Sequence, residues 1–553
     1  MALARGPVEN GLIQGKVTVT PTKTAHSACR PWWGSLNGGT ESLVIEAVLS
    51  CFWSTVKPGK YPCSTCTAAT EWGVCTILDT VRCLKSQRQT DGSIVKFSNN
   101  KADDGIQRSA FGRSLSVSMV GARAGGALAL DAALGRMVPG WKKHSTVMHS
   151  EARCFVAELG RLKGTYVKVG QMWALFGEHF LPPELTEALH ELDAQTHPLP
   201  WNVIAPVLQH HLGDAYALLD IDRTALAAAS LAQVHRARVK ASGEEIVLKV
   251  LYPGVRDTID ADFNAVVRLL KMTRWLKAGR ELDDWLEDMR TQLHLEVDYV
   301  NEARMTQRMA KLVAADARYC VPAVYPQFSN SAVLALQYLP GELVTSERVA
   351  QLPLERRNQL AVSMLDLFFN EVYAWDVMQT DPNFGNYRVR VGSASDQLIL
   401  LDFGALMECS RPFLDALGHT IAAGQQGDQP GVVRGLTQLG CLTPSSSAHA
   451  QRTFADFCLR LLEPLRDPSD LPPEYLNAQG AYRWGASELM KRAGLQAAES
   501  AASRHFSTPA REFAFVARKL TGVFTFIAVL KAEFNGADLL RQHVERKRKQ
   551  SPR

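Results

Sequence analysis

Acidic and amide side chains cluster in the stretch "VMQTDPNFGNYRVRVGSASDQLILLDFGALM", residues 377–407. Asp381 precedes Asn386 by five positions, and a hydrophobic run then leads into Asp402-Phe403-Gly404. Phosphoryl transfer needs oxygen ligands for a metal, a cation for the nucleotide phosphates and a carboxylate near the accepting group. Carboxylate oxygens are ligands that Mg²⁺ takes in nucleotide sites. The stretch therefore indicates a magnesium-nucleotide site.

The remaining charged groups of such a site come earlier in the chain. Lys249 lies on a predicted strand, and Glu302 lies in a predicted helix 53 positions later, where it could pair with the lysine. A lone Asp-Phe-Gly occurs by chance, and a strand lysine is usually a solvated edge residue. The order and spacing together follow the pattern of protein kinases. They predict Lys249, Glu302 and Asp381 as catalytic residues, with Asn386 and Asp402 as metal ligands.

Three strands are predicted around these residues. "EEIVLKVLYPG" and "SAVLALQYLPGE" each end in a Pro-Gly turn, and "QLILLDFG" delivers the Asp-Phe-Gly segment. Residues 257–312, the segment "RRNQLAVSMLDLFFNEVYAW" and the chain from Arg411 onward have helical periodicity. A small sheet followed by a larger helical lobe is expected.

Helices are also predicted before the first strand. "SEARCFVAELGRLKGTYVKVGQMWALFGE" has apolar residues at helical spacing and is predicted as one helix. "LPPELTEALHELDAQ" is predicted as a second helix with a proline pair at its start.

The composition is that of a globular chain. It has 553 residues, 46% hydrophobic and 21% charged, so two or more structural units are expected. The formal net charge of +5 is too small to indicate nucleic acid binding, and no interleaved basic and aromatic face supports it. No stretch reaches the about 18 to 20 apolar residues that a membrane-spanning helix needs.

Residues 1–105 differ in composition from the rest of the chain. Six of the eleven cysteines fall within the first 83 positions, but Cys63-x-x-Cys66 lacks a second pair with zinc-site spacing, so a metal site is disfavoured. Serine, threonine and basic residues near the start loosely resemble an organelle transit peptide. The Gly121-x-x-x-Gly125 spacing predicts either a close helix contact or a plain surface helix. The basic tail "ERKRKQSPR" is interpreted as a solvated end, with a membrane-surface role as the alternative.

Four further motifs carry a family resemblance. Lys168-Val169-Gly170-Gln171 matches K-x-G-Q, the run 227–234 matches an alanine-rich loop, Glu296-Val297-Asp298 matches E-x-D, and "QTDPNFGN" matches a catalytic loop. Over residues 110–540 the chain resembles the UbiB-like, or ABC-one-like, atypical kinases. Eukaryotic members of that family support ubiquinone biosynthesis in mitochondria.

The resemblance implies an α+β, protein-kinase-like fold of two lobes. The expected N-lobe is small and contains the sheet, the C-lobe is mainly helical, and a family-specific helical extension precedes both. The expected divisions are an N-terminal extension or presequence at 1–105, the helical extension at 106–215, the N-lobe at 216–343 and the C-lobe at 344–545.

The resemblance also implies roles for the kinase-like residues. Lys249 would hold the phosphates of ATP and pair with Glu302, and Asp402 and Asn386 would hold Mg²⁺. Asp381 takes the place of the catalytic carboxylate. Its loop reads Gln-Thr-Asp where protein kinases have His-Arg-Asp. The orientation of Asp381 must then depend on other contacts.

The alanine-rich loop replaces the glycine-rich nucleotide loop of protein kinases. Alanine resists positive φ and close backbone approach, so a stiffer nucleotide cradle is expected. The alternative is an alanine-rich helix start capped by Ser230. His235, just after the loop, is interpreted as structural. The residues expected to contact nucleotide are Ala227, Ala228, Ala229 and Ser230, together with Lys249.

The resemblance implies that the K-x-G-Q residues face the site from the helical extension, with Lys168 paired to Glu296 or Asp298 of the E-x-D motif. In family members this segment covers the region where a protein kinase binds its peptide, which disfavours protein substrates. The alternative is a solvated acidic helix face. The four expected gating residues are Lys168, Gln171, Glu296 and Asp298.

The resulting functional prediction is an ATP- and Mg²⁺-dependent atypical kinase or ATPase in ubiquinone biosynthesis or isoprenoid-lipid homeostasis. A protein kinase and a nucleotide-binding scaffold are the alternatives. The predicted partners are a small-molecule or lipid substrate, a peripheral membrane contact, and a homodimer or a quinone-biosynthesis complex, without nucleic acid. A mitochondrial location is predicted, with a plastid or a bacterial cell as alternatives.

Overall fold

The computed structural model describes residues 145–494 and 511–550, except 163, 177–180, 191, 193–197, 274, 277–279, 382 and 444. All of the described residues belong to one compact unit of the chain. The expected presequence, the cysteine-rich stretch and the helix contact at 121–125 lie outside them, as do the last three residues of the basic tail.

From residue 145 onward, where the description of the chain begins, four α-helices precede the first sheet. They are α1 (Ser145–Leu162), α2 (Thr165–Phe176), α3 (Pro183–His190) and α4 (Trp201–Leu212). The prediction of one continuous helix across 150–178 is wrong, because the chain turns at Gly164, where φ is 61°. Glycine adopts this left-handed backbone without a steric penalty and often ends helices.

The N-lobe sheet is antiparallel, in the order β1-β2-β3-β5. Its strands are β1 (Leu219–Ala228), β2 (Ala232–Val239), β3 (Glu245–Leu251) and β5 (Val333–Gln337). Lys249 lies opposite Val234 of β2 and Leu334 of β5, so it occupies an inner strand. Sequence periodicity indicated β3 and β5 but missed β1 and β2. The helices α5 (Val255–Met272), α6 (Arg280–Glu296) and α7 (Tyr299–Val313) follow β3.

Two smaller sheets carry the polar stretch 377–407. One has the order β4-β9-β8-β6, formed by β4 (Tyr319–Cys320), β6 (Glu342–Leu343), β8 (Tyr387–Arg390) and β9 (Gln397–Leu400). The other pairs β7 (Val377–Gln379) with β10 (Leu406–Glu408), and Gln379 lies opposite Leu406. This pairing brings the segment before Asp381 next to the segment after Asp402.

The C-lobe is mainly helical. Its helices are α8 (Glu347–Ala350), α9 (Leu354–Tyr373), α10 (Arg411–Gln425), α11 (Gln429–Gln438), α12 (Ala448–Leu461), α13 (Arg511–Val529) and α14 (Gly536–Gln550). The prediction of helix throughout the region after Arg411 is wrong for residues 462–488, which contain no α-helix, although residues 489–494 are helical. Short 3₁₀ helices with proline in their first turns occupy parts of residues 463–475, and Leu476 forms a β-bridge with Tyr482.

Each lobe has its own hydrophobic core. One core joins α1–α4 to the N-lobe sheet and its helices, and the other fills the C-lobe. Helix α7 contributes to both, with Tyr299 in the first core and Met305 and Met309 in the second. The predicted α+β class, with a small sheet lobe and a larger helical lobe, is confirmed. Among the described helices, none combines the length and the hydropathy needed to cross a bilayer.

Candidate nucleotide and metal site

The ammonium group of Lys249 joins three elements of the fold. Its Nζ lies 2.8 Å from Oε1 and 2.9 Å from Oε2 of Glu302, and 3.1 Å from Oδ2 of Asp402. Glu302 is only 2% exposed, whereas the side chain of Asp402 is 42% exposed. The N-lobe strand, helix α7 and the Asp-Phe-Gly segment therefore meet at one cation.

Burial and charge shift the pKa values of all three groups. Burial raises the pKa of Glu302 to about 7, although Lys249 opposes the shift. Burial alone would lower the pKa of Lys249, but Asp402 and Glu302 raise it well above its usual value. Burial alone would raise the pKa of Asp402, but Lys249 and the amide of Gly404 hold it below its usual value. Of the two carboxylates, Asp402 is therefore the one that keeps its negative charge, which a metal ligand needs.

Asp402 has an unusual backbone conformation. Its φ is 56°, in the left-handed region that few residues other than glycine adopt. Its Oδ1 accepts a hydrogen bond from the amide of Gly404 at 3.2 Å, and its carbonyl accepts one from the side chain of Gln379. Non-glycine residues in this conformation are concentrated at functional sites. The turn aims the carboxylate of Asp402 toward Lys249.

Asp381 is held by contacts to both of its carboxylate oxygens. The Nδ2 of Asn386 donates to Oδ2 at 2.8 Å, and Arg518 in α13 donates to Oδ1 at 3.3 Å. The amide of Asp381 donates to Oε1 of Gln379 at 3.4 Å. Gln379, the residue at the expected histidine position, therefore links Asp381 to the carbonyl of Asp402. The sequence analysis identified Gln379 as a departure from the His-Arg-Asp pattern of protein kinases. It missed Arg518, which lies 137 positions from Asp381 and carries no local signal.

Asn386 also anchors the strand that leads to Asp402. It ends a short 3₁₀ turn, Phe384–Asn386, and its carbonyl accepts from the amide of Leu401 at 2.8 Å. Because its Nδ2 faces Asp381, its amide oxygen is the atom able to ligate a metal. The donors at this site, an amide oxygen and the partly exposed carboxylate of Asp402, fit Mg²⁺. Within the part of the chain that the structure describes, three or more Asp, Glu, His or Cys side chains do not form a ready-made metal cage. A nucleotide would complete the coordination, as is usual for Mg²⁺.

The alanine-rich loop is the turn of a β-hairpin. Ala227 and Ala228 end β1, opposite Val234 and Gln233 of β2, and the amide of Ala229 donates to the carbonyl of Ala232 at 2.7 Å. The alternative of a helix start capped by Ser230 is therefore wrong. The hairpin immediately precedes the strand that carries Lys249, which is the position of a glycine-rich loop in a kinase N-lobe.

The extension contacts the site through Lys168. Its Nζ lies 2.5 Å from Oε1 of Glu296, and its charge contributes to lowering the pKa of Asp402. Asp298 does not pair with Lys168. It caps α7 by accepting from the amide of Asn301 at 3.0 Å. Gln171 follows Lys168 by three positions on α2, so the two residues share a helix face. With Glu302 buried and Glu296 paired, the alternative of a wholly solvated acidic face is wrong.

Gly170 has a packing reason for its small size. A Cβ atom placed there would lie 2.5 Å from Cδ1 of Leu192, 3.2 Å from Cδ1 of Leu159 and 3.5 Å from Cδ2 of Leu189. The glycine of the K-x-G-Q segment therefore allows α2 to lie close to its neighbours.

His235 is part of a buried structural network. Its Nδ1 lies 2.8 Å from the carbonyl of Asp222, and its Nε2 lies 2.8 Å from Nε2 of Gln233. Gln233 also bonds both backbone groups of Leu199. Burial lowers the pKa of His235. These contacts tie the segment before α4 to the N-lobe sheet.

Comparison with known proteins identifies the domain. Residues 191–435 match the model of the ABC1 atypical kinase-like domain. The chain contains an ABC1 atypical kinase-like domain. The family resemblance drawn from its motifs, and the kinase-like character of the fold, are confirmed.

Several known proteins are similar to large parts of this chain. Identity is 28% to the mitochondrial atypical kinase COQ8 of Saccharomyces cerevisiae, over 70% of this chain and 74% of that protein. It is 29% to the mitochondrial atypical kinase COQ8B of Danio rerio, over 70% of this chain and 60% of that protein. It is also 29% to the chloroplastic protein ACTIVITY OF BC1 COMPLEX KINASE 8 of Arabidopsis thaliana, over 55% of this chain and 40% of that protein. The predicted location, mitochondrial with a plastid or a bacterial cell as alternatives, agrees with these names and with a Synechocystis relative.

A solved structure shares the fold. The Mycobacterium tuberculosis protein Rv3197, in complex with erythromycin, aligns with a TM-score of 0.51 and 22% identity, covering 72% of this chain and 96% of that one. The match to this domain, together with relatives named atypical kinases, supports a kinase-like enzyme that binds a nucleotide with a divalent metal. The roles of the individual site residues and the domain boundaries stay predictions.

Proposed function

We propose that this protein is an atypical kinase that uses Mg-ATP, acting as a phosphotransferase or as an ATPase. The observation that carries the proposal is the double contact of Lys249 with Glu302 and Asp402. The partly exposed carboxylate of Asp402 keeps its negative charge at the mouth of the site. A bound Mg²⁺ complements this charge and would neutralise charge on the phosphates.

Each residue of the proposed site then has a defined role. Lys249 holds the nucleotide phosphates, and the buried Glu302 holds Lys249. Asp402 and Asn386 would hold the metal, which would supply positive charge beside the phosphates. Asp381 accepts the proton of the attacking hydroxyl or water. The alanine turn, Ala227 to Ser230, lies against the nucleotide.

The substrate is proposed to be a small molecule or lipid in ubiquinone biosynthesis or isoprenoid-lipid homeostasis. The names of the yeast and zebrafish relatives, atypical kinases COQ8 and COQ8B, support this assignment. Lys168 and Gln171 gate the site from the extension together with Glu296, and this position disfavours a peptide. We further propose a mitochondrial location, a peripheral membrane contact, and assembly as a homodimer or in a quinone-biosynthesis complex.

A protein kinase is the second candidate. One relative, 26% identical over 422 residues, is named a probable serine/threonine-protein kinase of Dictyostelium discoideum. The two candidates differ in the acceptor and share the same nucleotide site.

The test is magnesium-dependent ATP hydrolysis by the full-length protein, with and without anionic liposomes and a quinone-precursor-like phenol. Asp402→Asn is the inactive control. We expect turnover that rises with lipid or phenol and is absent in the control. Transfer of phosphate to a protein, without stimulation by lipid or phenol, would favour the second candidate. Nucleotide binding without turnover under every condition would contradict both and leave a scaffold.

A further inference from the structure

Of two adjacent residues of α13, one contacts Asp381 and the other contacts residues that support its loop. Arg518 donates to Oδ1 of Asp381 at 3.3 Å. Lys519, whose side chain is 1% exposed, donates to Oε1 of Glu371 at 3.1 Å and to the hydroxyl of Tyr387 at 3.2 Å. Neighbouring residues on a helix point about 100° apart. One turn of α13 therefore reaches both Asp381 and the supports of its loop.

The contacts of Lys519 fix both ends of the loop. Oε1 of Glu371 also accepts from the amide of Gln379 at 3.3 Å, and Gln379 is two residues before Asp381. Tyr387, the other partner of Lys519, begins β8 directly after Asn386. The buried Lys519 thus sets the position of α13 against the loop, and that position delivers the guanidinium of Arg518 to the carboxylate.

The loop itself supplies no cation for Asp381. The stretch "VMQTDPNFGNY" contains neither lysine nor arginine. Thr380, at the expected arginine position, is bound to the carbonyl of Ala405 through its hydroxyl at 2.8 Å. Asn386 restrains only Oδ2 of Asp381. On Oδ1 the loop supplies the backbone amide of Asn383, at 3.4 Å, and Arg518 adds a charged restraint at 3.3 Å.

We infer that Arg518 is a positioning residue for Asp381, supplied by the C-terminal helix α13. The inference rests on the proposed function and deepens it. Arg518 acts through Asp381, so its loss should affect the chemical step and leave nucleotide binding by Lys249 and Asp402 intact. A misplaced catalytic group lowers kcat, whereas uniform binding appears in KM.

The experiment compares Arg518→Ala and Arg518→Lys with Arg434→Ala in the full-length protein. Arg434 lies on α11 with a 70% exposed side chain and pairs with Asp428, so its loss controls for removal of an arginine. We expect Arg518→Ala to lower kcat by about 100-fold, the cost of a small misplacement, with KM for ATP and the unfolding midpoint as in Arg434→Ala. Arg518→Lys keeps the charge without the planar fork and should fall between. Guanidinium ion below unfolding concentrations should restore part of the rate of Arg518→Ala and none of the rate of Asp381→Asn.

Each result has a distinct meaning. If the wild type turns over ATP and Arg518→Ala has the same kcat as Arg434→Ala, the positioning role is overturned while the proposed function stands. If kcat and the unfolding midpoint of Arg518→Ala fall together and guanidinium restores nothing, the role is structural and the inference fails. If the wild type shows no turnover with any lipid or phenol, the proposed function fails and the inference fails with it.

Discussion

Lys249 of the N-lobe sheet donates to Glu302 and to Asp402 at the same time, at 2.8 and 3.1 Å. The two carboxylates lie 53 and 153 positions further along the chain. Helix α7, which carries Glu302, packs into both hydrophobic cores. The ion pairs therefore couple the two lobes at the place where a nucleotide would enter.

The raised pKa of Glu302 predicts a pH dependence of stability. With a pKa of about 7 in the folded state and about 4.3 in the unfolded state, this group binds more protons in the folded protein between those values. The free energy of unfolding should therefore fall as pH rises from about 4.3 to about 7. Glu302→Gln imitates the neutral form and removes this contribution.

The measurement is urea unfolding of the metal-free wild type and Glu302→Gln at several pH values. Contributions of other groups largely cancel in the difference between the two proteins. We expect the wild type to lose stability relative to Glu302→Gln as pH rises toward about 7. A difference that stays constant from pH 4.3 to 7 would show that Glu302 titrates normally.

Asp381→Asn should remove proton acceptance while keeping the shape of the side chain. We expect kcat to fall by about 10²- to 10⁴-fold, with nucleotide affinity retained because Lys249 and Asp402 are unchanged. Asp470→Asn, at an exposed position of the C-lobe, is the matched control. Steady-state hydrolysis and nucleotide titration separate the two effects, and wild-type turnover in Asp381→Asn would exclude it as the catalytic carboxylate.

Gly170→Ala should overpack the contact between α2 and its neighbours in the extension and so destabilise it. The new methyl group would contact Leu192, Leu159 and Leu189, and overpacking of this kind costs about 1–3 kcal/mol. Gly160→Ala in α1 is the control, since its Cβ would meet only Leu192, at an ordinary 3.9 Å. Chemical unfolding should show a loss of stability for Gly170→Ala only. Equal stabilities would mean that the K-x-G-Q glycine is not required for packing.

Lys519→Met should destabilise the C-lobe by about 3–5 kcal/mol, because it leaves the buried Glu371 without its cation. In Lys519→Met/Glu371→Gln both charges are absent, and the glutamine can still accept from the amide of Gln379. The double variant should recover most of the loss. Urea unfolding of the single and double variants tests this, and a double variant no more stable than Lys519→Met would refute charge burial as the cause.

Sequence patterns predicted the parts of the fold and site that have local or ordered signals. The alternation around Lys249 indicated β3, and the kinase-like order of residues predicted the pairing of Lys249 with Glu302 that the structure shows. The contact of Lys249 with Asp402 was not predicted. Strand β1 was missed because its residues are mostly exposed and lack a clear alternation of apolar side chains. The break at Gly164 was missed because apolar residues continue at helical spacing on both sides.

Contacts between distant segments could not be predicted in the same way. Arg518 and Lys519 read as ordinary charged residues of an amphipathic helix. Only the packing of α13 against α9 and the catalytic loop shows that one of them binds Asp381 and the other is buried against Glu371. Likewise, Gln379 was visible as a departure from the kinase pattern, but its bond to the carbonyl of Asp402 depends on the pairing of β7 with β10.

The most direct measurement of the proposed site is calorimetric titration of a non-hydrolysable ATP analogue into the wild type, Asp402→Asn and Asp470→Asn, with Mg²⁺ and with EDTA. We expect Mg²⁺ to strengthen binding to the wild type and to Asp470→Asn, and to have no such effect on Asp402→Asn, because Asp402 is the proposed metal ligand. Equal strengthening of all three proteins by Mg²⁺ would contradict the assignment of Asp402. Absence of nucleotide binding by the wild type would contradict the site as a whole.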